Sequence, residues 1–178
     1  MIISLRGTNG SGKSTIVRNI MKLYPHETKI EYPGRRKPIG YVLRLKNRTL
    51  FVPGHYEILN GGIDTIDSLA TAYNLIAVHA VELGCDVLYE GKNLSDGPKR
   101  LLELQAAGHD VAVAHINLPV EDCISAVRLR GHTIKVETIE KLHIKSQHDL
   151  VKFGLAGVPV FSGNREDTLM QVKSWLKI

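Results

Sequence analysis

The chain has 178 residues, 43% of them hydrophobic and 23% charged, with a formal net charge of +5. This composition excludes a disordered or fibrous protein, and no apolar run approaches the ~18 residues of a membrane span. The length suits one α/β domain over residues 1–178 with a continuous core. The two cysteines, Cys85 and Cys123, each fall in an apolar pattern, which predicts reduced, buried thiols in a cytosolic protein and excludes a structural zinc site. The positive charge favours a polyanionic substrate without establishing one, since handling a nucleotide also requires cations.

Residues 2–6 predict a buried strand, followed by a glycine-rich turn and a helix over 14–23, where Ile16, Ile20 and Leu23 recur at helical spacing. Pro25 ends that helix, and 28–32 predict a second strand leading into the Pro33-Gly34 turn. Residues 41–45 and 49–52 flank Lys46-Asn47-Arg48 as a hairpin. Turn formers dominate 54–65, and Asp64 or Thr65 is placed to cap a long helix over 66–83 that Gly84 stops. Strands over 86–89, 111–117 and 158–161 then alternate with helices over 99–107, 119–130, 133–153 and 166–176. Such alternation predicts a mostly parallel central sheet covered by helices on both faces, with ligands collecting at the carboxyl ends of the strands.

Gly7-Thr8-Asn9-Gly10-Ser11-Gly12-Lys13-Ser14 fits G-x-x-x-x-G-K-[ST] at every fixed position, between a predicted strand and a predicted helix. Residues 7–15, closing with Thr15, therefore read as a cradle for nucleotide phosphates. Glycines let the backbone N–H groups turn inward as an anion nest, Lys13 reaches the β- and γ-phosphates, and the Ser14 hydroxyl ligates Mg²⁺. Glu90 ends the apolar run Val87-Leu88-Tyr89, a strand expected beside the first one, so its carboxylate falls near Ser14. It either holds the magnesium shell or is solvated or paired with Lys92.

Phosphoryl transfer also requires an acceptor side. Asp64, in Gly61-Gly62-Ile63-Asp64-Thr65, is a candidate general base or a helix cap, with Asp67 one turn on as the substitute. Arg128 and Arg130, before Gly131-His132-Thr133, stand where a mobile lid brings a cation onto the phosphates, or where basic residues simply suit a helix end. Their spacing turns them to different sides, so one is expected to act. Six cations between residues 35 and 48, Arg35 and Arg36 among them, suit either a solvated face or a grip on a phosphodiester backbone. His55 lies in the suspected acceptor loop, and Tyr41, Phe51 and Tyr56 are either base-stacking platforms or core.

Taken with the phosphate loop, Gly40-Tyr41-Val42-Leu43, Gly54-His55-Tyr56-Glu57, residues 61–65, Leu88-Tyr89-Glu90-Gly91 and the arginine-bearing helix resemble the bacteriophage 5-hydroxymethyluracil DNA kinases. The resemblance implies a P-loop, nucleotide-kinase-like three-layer fold, ATP and Mg²⁺ as cofactors, and a host-cytoplasmic enzyme of thymidine hypermodification. Its substrate would be DNA carrying 5-hydroxymethyluracil, with Arg35, Arg36, His55 and Tyr56 on the substrate side. The residues themselves leave open a small-molecule kinase for a nucleoside, nucleoside monophosphate or sugar. A nucleotide-dependent switch is the third reading, disfavoured because no guanine-reading N-K-x-D segment occurs.

Overall fold

A computed structural model describes residues 1–58, 61–91, 97–131 and 133–178. Strand β1 (Ile2–Gly7) is buried along its whole length, as its unbroken apolar character requires of a central parallel strand. Around it assemble β2 (His26–Ile30), β3 (Gly40–Leu45), β4 (Arg48–Pro53), β5 (Asp86–Glu90), β6 (Val111–Ile116) and β7 (Val160–Gly163). The seven-stranded sheet has the order β2-β3-β4-β5-β1-β6-β7. From β4 to β7 neighbours run parallel, while β2 and β3 add an antiparallel edge.

Helices α1 (Lys13–Met21) and α6 (Arg165–Leu176) cover one face, and α2 (Leu69–Val81), α3 (Pro98–Ala106) and α5 (Val136–Leu155) the other. Ile16, Val17 and Ile20 of α1 pack with Ile3 and Leu5 of β1 and Val172 of α6. On the opposite face Ile76 of α2, Leu101 of α3 and Phe153 of α5 meet Phe51, Val87 and Val113. Helix α4 (Val120–Leu129) stands beside these layers and packs Cys123 and Val127 against Ile139 of α5. Both cysteines are buried and free. No helix among the described residues is long and apolar enough to cross a membrane.

The structure departs from the sequence-based expectations at several places, among them β7, which lies two residues on from the expected 158–161, and α5, which begins at Val136 rather than at 133. The second strand begins at His26, because its pairing with β3 sets its limits and extends the ladder from Ile30↔Gly40 back to His26↔Arg44. The helix expected from residue 66 begins at Leu69 instead. A single 3₁₀ turn, Ile63–Thr65, precedes it, Ile66 is extended, and the Ser68 side chain accepts from the Thr71 N–H as the cap. Neither Asp64 nor Thr65 caps that helix. The cations between residues 35 and 48 also do not form one patch: Arg35 and Arg36 precede β3, whereas Arg44, Lys46 and Arg48 lie at its far end and around the turn into antiparallel β4. The five steps from Gly40 to Leu45, at about 3.4 Å each, put about 17 Å of strand between the two groups.

Candidate active site

The turn between β1 and α1 is built on glycine. Gly10 holds φ +88°, and a Cβ there would lie 2.2 Å from the carbonyl oxygen of Cys123. Only glycine fits, because α4 forms the floor of the loop. From the other side the Arg165 guanidinium donates to the Ser11 carbonyl at 2.7 Å and to that of Gly10 at 3.3 Å. The first turn of α1 carries no acidic side chain, which leaves the positive end of the helix to an anion.

Lys13 is 9% exposed, and its ammonium donates to the carbonyls of Gly7 at 2.8 Å and Thr8 at 3.2 Å. Burial lowers its pKa, opposed by the Glu90 and Asp64 carboxylates. The parallel register sets Glu90 opposite Leu5. There Glu90 accepts the Ser14 hydroxyl at 3.0 Å through Oε2, the juxtaposition expected from strand order. Burial raises the pKa of Glu90, while the Lys13 ammonium and the hydrogen bond from Ser14 oppose that rise. Oε1 of Glu90 is buried and makes no hydrogen bond of ordinary geometry.

A cavity of about 400 Å³ opens over this pair. Asn9, Gly10, Gly12, Lys13, Ser14 and Thr15 of the phosphate loop form one wall, with Glu90 and Gly91 behind them. Gly61, Asp64 and Arg18 form the second, and Val127, Arg130 and Ile134 the third. Gly7, Thr8 and Ser11 are buried and do not line the cavity. Thr8 is buried and its hydroxyl is already engaged, pairing with His143 Nδ1 at 3.1 Å.

The other candidate residues are distributed unevenly. Of the two lid arginines, both exposed, Arg130 lines the cavity and Arg128 does not. Arg35 is committed within the protein, donating to Asp67 at 3.1 Å and to the Thr65 carbonyl at 2.7 Å, whereas Arg36 is exposed. His55 and Tyr56 are buried, and Tyr41 and Phe51 belong to the core, so none of the four presents a solvent-facing ring. The His55 ring pairs with the Tyr41 hydroxyl at 3.3 Å, and burial lowers its pKa. Lys92 and His132 lie outside the described residues.

Two functional positions carry no strong sequence signal. Arg165 reaches the phosphate loop across 154 residues of chain. Arg18 lines the cavity, donates to the Tyr56 carbonyl at 3.1 Å and also grips the carbonyl of Ile58. Its one available clue was its spacing of four from Ser14, which puts both on one face of α1.

No family model matches the sequence. The chain is 33% identical over 184 residues to the 5-hmdU DNA kinase of Pseudomonas phage PaMx11, spanning 99% of this chain and 97% of that one. In structure it is similar to deoxyadenosine kinase from M. mycoides with bound dATP, at TM-score 0.54, 17% identity and full coverage of both chains. The same enzyme with bound dCTP gives TM-score 0.50 at 15% identity over 99% of each chain. At such identities these structures speak for the fold, an α/β nucleotide-kinase fold with a mostly parallel sheet. With a phosphate loop in that fold and a third of its residues shared along the full length of a curated relative, the chain belongs to the 5-hmdU DNA kinase family of P-loop kinases.

Proposed function

We propose that the chain transfers the γ-phosphoryl group of ATP to the hydroxymethyl oxygen of 5-hydroxymethyluracil in DNA. The supporting observation is that Asp64 opens into the same cavity as Lys13, Ser14 and Glu90, leaving one cleft between a phosphate cradle and a carboxylate. Family membership supplies the acceptor, because the relative is named for it.

In this reading the Lys13 ammonium exchanges the Gly7 and Thr8 carbonyls for phosphate oxygens, and the loop N–H groups hold the remaining charge. Ser14 and Glu90 are the residues that would hold Mg²⁺, and a hydroxyl beside a single carboxylate suits a cation that keeps most of its waters. When bound it supplies positive charge to the β- and γ-phosphates. Asp64 accepts the proton of the hydroxymethyl O–H as that oxygen attacks the γ-phosphorus. The new O–P bond forms, the bond from the γ-phosphorus to the bridging oxygen breaks, and ADP leaves with that electron pair. Arg130, on the third wall, neutralises charge on the transferring group. A base within a duplex reaches this cavity only when it is swung out or single-stranded. Arg36, exposed at the site edge of the sheet, serves the DNA backbone, while Arg35, His55 and Tyr56 shape the acceptor loop from within.

The test incubates γ-labelled ATP with DNA containing 5-hydroxymethyluracil, with unmodified DNA, and with free 5-hydroxymethyldeoxyuridine. Label confined to the modified DNA is the expected result. Preferential labelling of the free nucleoside would reassign the enzyme to small molecules.

A further inference from the structure

Tyr56 is held on three sides. Its N–H donates to the Tyr41 hydroxyl at 3.1 Å, and its carbonyl accepts from Arg18 Nε at 3.1 Å. Its ring covers Gly61 so closely that a Cβ there would lie 2.5 Å from Tyr56 Cδ1. Main chain and ring are thus fixed, yet the hydroxyl is buried and makes no hydrogen bond of ordinary geometry. The same is true of Oε1 of Glu90, on a residue 6% exposed. A Cβ at Gly62, the residue after Gly61, would lie 3.1 Å from Glu90 Cβ, so the two side chains flank one dipeptide, and the Glu90 carboxylate adds to burial in holding the phenol well above its usual acidity range. A buried donor and a buried acceptor thus stand beside Gly61-Gly62, each without a hydrogen-bond partner.

We propose that Tyr56 is a positioning residue whose hydroxyl donates to Oε1 of Glu90, fixing the plane of a carboxylate whose Oε2 already accepts from Ser14. The proposal rests on the reading of Ser14 and Glu90 as the cation-holding pair. A carboxylate anchored at both oxygens keeps its orientation without reorganising, and such outer partners are worth about 10- to 100-fold in metal affinity. Tyr56 belongs to the acceptor loop, and Arg18 ties that loop to α1. Order in the loop and affinity for the cation are therefore one linked equilibrium, in which each site strengthens the other by the same factor.

Tyr56→Phe keeps the ring over Gly61 and removes only the hydroxyl. Mn²⁺ is the probe, with free ion measured by electron paramagnetic resonance in the presence of ADP. The Mn²⁺ dissociation constant is expected to rise about tenfold, the low end of that range, while metal-free ADP affinity and melting temperature remain those of the parent protein. Glu90→Gln, measured in parallel, loses most Mn²⁺ affinity, and adding Tyr56→Phe to it produces no further loss. Unchanged Mn²⁺ affinity in Tyr56→Phe, with Glu90→Gln weakened, overturns the positioning role and leaves the Glu90 assignment standing. Unchanged affinity in both variants overturns the cation reading itself and the positioning role with it. A lowered melting temperature with unchanged affinity reduces Tyr56 to a packing residue and overturns the proposal as well.

Discussion

Lys13 contributes a cation rather than apolar packing, since its ammonium rests on the two carbonyls of its own loop. Lys13→Ala is therefore expected to retain cooperative unfolding and lose phosphoryl transfer by about 10³-fold or more, because one preorganised charge in a water-poor site is worth several kcal/mol in the transition state. Single-turnover transfer and a thermal melt of the same preparation check both halves of that expectation. Asp64 makes a different case. It is exposed at the cavity wall, and the cap of the following helix falls to Ser68, so its carboxylate is not required there to terminate secondary structure. Asp64→Asn is expected to leave ATP affinity unchanged and to lower turnover by about 10²-fold, the usual magnitude for a positioned base. Equal turnover in the two proteins, by steady-state rate at saturating ATP, would remove Asp64 from the chemistry.

At the scale of elements, the acceptor loop is held by side chains from three places. Tyr41 of β3 accepts from the Tyr56 N–H, Arg18 of α1 takes two carbonyls, and Arg35 takes the Thr65 carbonyl. Gly54, at φ +100°, approaches Gly62 so nearly that a Cβ would stand 2.2 Å from its carbonyl oxygen. The loop is thereby a built wall of the cavity, and α2 begins only after it, at the Ser68 cap. Ser68→Ala removes the acceptor for the Thr71 N–H. It is expected to cost about 1 kcal/mol of stability with little effect on turnover. Urea unfolding of the variant measures this, and a large loss of activity at unchanged stability would show that the cap does more than end a helix.

For the whole molecule, two solution properties follow from where its charges lie. His115 of β6 is 1% exposed between Ser162 and Ser146, at 3.0 and 3.3 Å. Burial foremost, with the neighbouring His143 and Lys13, lowers its pKa from 6.5 to about 4. The unfolded chain takes up this proton below about pH 6.5 and the folded one only near pH 4, so stability is complete above 6.5 and falls by about 3 kcal/mol toward pH 4. His115→Asn is expected to flatten that decline in urea unfolding compared at about pH 7.5 and about pH 4.5. The second property concerns DNA. Arg36 and Lys37 are exposed at the site edge, whereas Arg35 is bound to Asp67 and Thr65. Arg36→Ala with Lys37→Ala is expected to raise the Michaelis constant for modified DNA, leave that for ATP unchanged, and reduce the log–log salt slope by about 0.7 to 0.9 per lost phosphate contact. Michaelis constants for polymer and free nucleoside at two salt concentrations decide it, and equal effects on both acceptors would exclude a backbone contact.

The sequence by itself determined what depends on local spacing. The phosphate loop, the helix after it, the β3–β4 hairpin and the alternation that makes a parallel sheet were all legible, because glycine conformation and apolar periodicity act over a few residues. The placement of Glu90 beside Ser14 was legible as well, since an unbroken apolar strand has to lie at the centre of such a sheet. Tertiary structure decided what depends on the meeting of distant segments. It turned Arg35 inward to the acceptor loop, divided the cations of residues 35–48 between the two ends of β3, and brought Arg130 rather than Arg128 to the cavity. It also carried Arg165 to the phosphate loop and closed the Tyr56 ring over Gly61. A charged or phenolic side chain carries the same local signal whether its partner is solvent or a residue a hundred positions away. Only the packing that excludes water from one of those partners distinguishes the two.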